Sequence, residues 1–189
     1  MRGYLTNPIL FVIHTLLGLF AAIAALRFLL QWVRADFYNP MSQFIVRVTT
    51  PVLRPLRRVV PSYAGLDLAA LVLAWLVKTI ELAAVALIAG LGNPIGALFW
   101  SIPALVTLFI NIFLFAVLIQ VILSWINPDP YNPAVKLLDR LTAPLLGPAR
   151  RLIPPVSGLD LSPMAVMIAL VILEMLLIPP LNALTGSPF

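Results

Sequence analysis

The sequence predicts an all-α membrane protein: four transmembrane helices forming two parallel two-helix repeats, each with an amphipathic interfacial helix and a proline-rich basic loop. Three observations carry this. Of 189 residues, 62% are hydrophobic and 10% charged, where a soluble domain has about 25% charged, so water is not the main solvent of the folded chain. Apolar runs cover residues 9–26, 68–91, 102–119 and 161–181, each near the roughly 20 helical residues that cross a hydrocarbon core about 30 Å thick. Finally, a shift of 93 lays residues 32–68 on 125–161 without a gap, with seventeen of 37 pairs identical, the mark of an internal repeat.

Repeat 1 is placed at residues 1–93, with spanning helices at about 8–33 and 67–91 and an interfacial segment at 39–61. Repeat 2 is placed at 94–189, with helices at about 101–126 and 160–184 and an interfacial segment at 132–154. The runs are apolar on every face, which excludes the period-2 strands of a membrane barrel. The first run continues nearly unbroken to Trp32, too long for the core of a cleaved secretory signal.

Charge placement predicts topology. Nine of the twelve basic residues, Arg34, Arg47, Arg54, Arg57, Arg58, Lys136, Arg140, Arg150 and Arg151, lie in the two loops inside the repeats, and residues 92–101 hold none. The positive-inside rule puts both loops in the cytoplasm and both termini outside. An even number of helices per repeat makes the copies parallel.

Each basic loop opens on Tyr-Asn-Pro, at 38–40 and 131–133. Asparagine is a strong N-cap and proline suits the first helical position, so a helix starts at each. Met41, Phe44, Ile45 and Val48 form its apolar face in the first copy, and Ala134, Leu137, Leu138 and Leu141 in the second. Pro51, Pro55 and Pro61, matched by Pro144, Pro148 and Pro154, are expected to break that helix, because proline removes a donor and collides with the preceding turn. The basic residues Arg47, Arg54, Arg57, Arg58, Lys136, Arg140, Arg150 and Arg151 are candidates for binding anionic lipid headgroups or a partner protein; setting topology is their simpler role. No recognised nucleic-acid motif accompanies them. Gly65 and Gly158 supply the closing turns, and Asp67 and Asp160 are placed to cap the following helices.

The run "NP" followed by "TxPxLxPxRRxxPxxxGLDL", present twice in order, resembles the YggT family of bacterial and plastid membrane proteins. The resemblance implies a small integral membrane protein of duplicated two-helix units. It also implies links to osmotic tolerance and potassium uptake, to cell division or nucleoid distribution, and to cytochrome maturation in plastids.

Within the apolar runs, Glu81 and Glu174 obey the 93-residue shift, Lys78 lies one turn from Glu81, and Asn111 falls at a similar depth. A charge in mid-bilayer costs at least about 2.5 kcal/mol, which makes it a functional candidate. The alternatives are a cation or proton site shared by the two carboxyls, or helix glue with Lys78 neutralising Glu81 and Asn111 bonding Glu174. His14 is read as a packing residue and Arg27 as a snorkelling one.

With no cysteine and one histidine, thiolate chemistry and a histidine-rich metal site are out of reach, and no metal or other cofactor is expected. No nucleophile, base and oxyanion set can be assembled. The expectation is a non-enzymatic scaffold or assembly factor whose partners are membrane lipids, a membrane protein or a second copy. An ion-handling protein using Glu81 and Glu174 is the alternative.

Overall fold

The computed structural model describes residues 2–63, 65–90, 94–126, 129, 131–153 and 160–188, with side chains from Asn7 onward. Six helices follow in order: α1 (Arg2–Trp32), α2 (Pro40–Leu56), α3 (Leu68–Ala89), α4 (Ala97–Ile126), α5 (Pro133–Leu152) and α6 (Ser162–Thr185). A 3-10 turn at Pro94–Gly96 leads into α4, and no strand occurs among the described residues. The segments Asn7–Trp32, Leu68–Ala89, Pro94–Ile126 and Ser162–Thr185 are long and apolar enough to cross a membrane.

Each repeat is a helical hairpin closed over its shorter helix. In the first, Ala21, Ala24 and Ala25 of α1 meet Ala69, Ala70, Leu73, Ala74 and Val77 of α3. Alanine at these positions brings the backbones close, the usual basis of helix association where lipid offers no hydrophobic driving force. In the second, Ile110 and Val117 of α4 pack on Val166 and Leu170 of α6, with Leu146 of α5 sealing the end. The repeats meet along α4, which touches α1 and α3 as well as α5 and α6. Edge-to-face pairs Phe28–Phe109 and Trp32–Phe113 hold α1 to α4.

The shorter helices start as their sequence requires. Asn39 and Asn132 accept hydrogen bonds from the amides of Met41 and Ala134, each at 2.9 Å. Asn39 also donates to the Pro133 carbonyl at 2.6 Å, so α2 and α5 lie side by side at one end of the bundle.

Four of the prolines do not act as expected, whereas Pro61 lies beyond the end of α2. Pro51 and Pro55 lie inside α2, and Pro144 and Pro148 inside α5. All four are exposed. The carbonyls they leave without amide donors, those of Arg47 and Pro51 and of Arg140 and Pro144, share their outward stripe, because residues four apart lie on one helix face. On an exposed side these carbonyls are open to donors from outside the protein, and each helix continues. Pro154 and Gly158 lie outside the described residues.

The expected apolar face of α2 is also turned. Ile45 is buried, Val48 is half-buried, and Met41 and Phe44 are exposed. The side against the bundle is instead Ser42, Ile45, Thr49 and Leu53, rotated about 100° from the Met41, Phe44 and Val52 stripe. A buried arginine on α1 is the reason, since it needs the hydroxyls of this more polar side. In α5, Leu141 is buried, Leu137 and Leu138 are half-buried, and Ala134 is exposed.

Candidate functional site

Two charged clusters cross the α1–α3 interface. Near the α2 end, Asp67 is fully buried and receives a hydrogen bond from Arg57 Nη2. The Arg27 Nε atom lies 3.6 Å from the same carboxylate oxygen. Asp67 sits at the N-cap position of α3, but its side chain makes no capping bond; two guanidinium groups outcompete one amide for the carboxylate. Its Oδ1 is buried without a hydrogen bond. Arg27, 5% exposed, is held by Thr49 Oγ1 at 2.5 Å, Thr50 Oγ1 at 3.1 Å and the Val46 carbonyl at 3.1 Å. It does not snorkel. Gly65 turns the loop at φ +79°, where a side chain would be strained, and its carbonyl accepts from Gln31 at 2.8 Å.

The second cluster is deep in the apolar zone. Glu81 is fully buried, with Lys78 Nζ 3.1 Å from Oε1 and 3.0 Å from Oε2. Only the Oε1 contact has hydrogen-bond geometry, so Oε2 is satisfied by charge alone. His14 Nδ1 lies 2.5 Å from Oε1, while most of its ring is exposed on the outside of α1. The two clusters are rungs of one antiparallel hairpin. Thirteen residues separate His14 from Arg27 on α1, and fourteen separate Asp67 from Glu81 on α3, so both helices rise about 20 Å between rungs. The sequence reading of His14 as a packing residue missed this contact; the matched spacing agrees with it but does not by itself single out the pair.

The second repeat keeps the motif and loses the clusters. Asp160 is bonded by Arg150 Nε at 2.8 Å and accepts from the Ser162 amide at 2.9 Å, which makes it a helix-start acceptor as well as an ion-pair partner. The position of Arg27 is taken by Gln120, which accepts from Thr142 and donates to Asp139 at 2.8 Å. The positions of His14 and Lys78 are taken by Thr107 and Val171. Glu174 is half-exposed, and among the described residues neither it nor Asn111 makes a hydrogen bond or ion pair. The expected bond between them is absent, and Glu81 has its polar partners inside its own repeat.

Around the α2–α5 end, Arg47, Arg54, Arg57, Arg58, Lys136, Arg140, Arg150 and Arg151 are all exposed. Arg57 and Arg150 spend donors on the two aspartates, and Lys136 lies 5.1 Å from the centre of the Tyr131 ring. Among the described residues Arg47, Arg54, Arg58, Arg140 and Arg151 have no ion-pair partner.

Four apolar helices in two tandem hairpins, with one basic end, define a multi-pass helical membrane protein. The CCB3/YggT family model matches residues 6–88 and again residues 99–181. The chain belongs to the CCB3/YggT family. It is 47% identical to an uncharacterized Pseudomonas aeruginosa protein over 97% of its own length and 95% of that protein's. It is 38% identical to an uncharacterized Vibrio alginolyticus protein over 87% of its length and 90% of the relative's. To the uncharacterized protein YggT of Escherichia coli K12 it is 35% identical, over 89% and 88% of the two chains. No solved structure matches it.

Proposed function

We propose that the protein is a non-enzymatic scaffold or assembly factor of a bacterial inner membrane, with α2 and α5 lying on the cytoplasmic surface and both termini outside. The observation that carries this is α2 itself. One side packs on the bundle, a second exposes Met41, Phe44 and Val52, and a third carries Arg47 and Arg54. A helix with apolar and basic sides both open suits the boundary of an anionic leaflet, where each basic residue contributes about 1 kcal/mol of attraction. The remaining cations are open to a partner protein or a second copy. The bacterial relatives support the membrane assigned.

The test spares Arg57 and Arg150, which hold the aspartates. Replacing Arg54, Arg58, Arg140 and Arg151 with glutamine leaves insertion intact and abolishes complementation of a deletion strain. Full complementation by that variant defeats the proposal. The His14, Lys78 and Glu81 cluster favours a second reading, ion handling linked to potassium or osmotic balance. It calls for cation flux in liposomes that Glu81→Gln stops, and vesicles no leakier than empty ones dismiss it.

A further inference from the structure

We propose that the first repeat holds a discrete site for the phosphate group of an anionic phospholipid, between the inner end of α1 and α2. A cavity of about 480 Å³ opens there, walled by Arg27, Gln31, Gln43, Arg47 and Arg57, with Phe37 and Val46 as its apolar part. Its wall carries three guanidinium groups and no carboxylate. Asp67, paired with Arg27 and Arg57, offsets one of the three charges. Arg47 has no hydrogen-bond or ion-pair partner among the described residues. Guanidinium carries five donors in a planar fork suited to phosphate oxygens. Arg27 and Arg57 therefore keep N–H groups beyond those used on Thr49, Thr50, Val46 and Asp67.

Depth selects a lipid as the source of the phosphate. Arg27 and Gln31 belong to the last turns of the apolar span that ends at Trp32, so the cavity lies within about 8 Å of the helix end, at headgroup level. The duplicated chain contains its own control. The corresponding cavity in the second repeat, about 770 Å³, has Gln120, Lys136, Asp139, Arg140 and Arg150 at the positions of Arg27, Gln43, Val46, Arg47 and Arg57, and Arg34 and Asp36 join its wall. Its four cations are interleaved with two carboxylates, which repel a phosphate and which the wall of the first cavity lacks.

This inference rests on the proposed placement of α2 at an anionic leaflet. It is tested on the purified full-length protein in neutral detergent, titrated with dioctanoyl phosphatidylglycerol or dioctanoyl phosphatidylcholine and read by native mass spectrometry. Phosphatidylglycerol binds one to one in preference to phosphatidylcholine. Arg47→Gln weakens it roughly tenfold, the loss expected of a charge-assisted hydrogen bond. Val46→Asp, which gives the wall the carboxylate of the second copy, abolishes binding while circular dichroism shows the fold kept. Arg54→Gln and Arg140→Gln change binding less than about twofold, as screened surface charges do. Equal losses for Arg47→Gln and Arg54→Gln overturn the site while leaving general attraction to anionic lipid standing. No preference for phosphatidylglycerol overturns the site and the lipid part of the proposed function together. Competition by millimolar inorganic phosphate at equal strength overturns the lipid as the source.

Discussion

The aspartate that closes each repeat sits in the same four-residue motif and meets the equivalent arginine, yet the Asp67 side chain is 2% exposed and that of Asp160 is 38% exposed. The difference comes from the neighbours of the helices they begin. α3 is enclosed by α1, α2 and α4, whereas among the described residues α6 packs chiefly on α4 and α5. An enclosed charge must be paired on the spot. The first repeat accordingly supplies Arg27, Lys78 and His14, and the second has Gln120, Val171 and Thr107 there. Duplicated motifs thus share geometry without sharing energetics.

The comparison is easiest to break at the glutamates. Glu81→Gln strands the buried Lys78 ammonium and should cost about 3 kcal/mol. Glu174→Gln removes an unpaired carboxyl from the middle of an apolar span and should be neutral or stabilising. Unfolding in mixed micelles by denaturing detergent, followed by circular dichroism, measures both, and equal losses would mean the repeats are energetically alike. The aspartates come next. Asp67→Asn should cost about 2 to 3 kcal/mol because it removes the buried carboxylate that pairs with both Arg27 and Arg57, while Asp160→Asn should cost less than about 1 kcal/mol, the range of an exposed pair.

A smaller effect sharpens the same contrast. Thr49→Val removes a hydrogen bond to a charged group and should lose about 2 kcal/mol, against about 1 kcal/mol for Thr142→Val, whose partner is the neutral Gln120. The smallest is a pH effect. Burial pushes the Asp160 carboxyl upward, but hydrogen bonds from Arg150 and Ser162 outweigh it and hold the group below its usual 3.8. A lowered folded value means the stabilisation is present above the unfolded value, about 3.9, and disappears as pH falls through the folded one. Stability curves for the protein and for Asp160→Asn should therefore differ slightly at neutral pH and merge in acid. A gap that persists in acid would show that Asp160 acts through packing.

Much of this molecule was legible before its structure. The four spans follow from apolar length, the repeat from the 93-residue shift, the starts of α2 and α5 from Asn-Pro, and the contact of Lys78 with Glu81 from helical spacing. The prolines misled because residue type does not say which side of a helix meets solvent, and on an exposed side a lost amide costs little. Ala134, Met41 and Phe44 misled similarly: an apolar stripe in a membrane protein has two places to go, protein or lipid. Glu81 and Glu174 look equivalent by position, and only their neighbours separate them.

By itself the sequence determined the number of helices, the duplication and the grouping of cations in two loops, because these depend on length, order and composition along the chain. Tertiary structure alone decided which copy of each repeated residue is enclosed, that Arg27 turns inward to Thr49 and Asp67, and that His14 reaches Glu81. Those outcomes depend on which helices surround a side chain, and with it on the energy of leaving a charge unpaired.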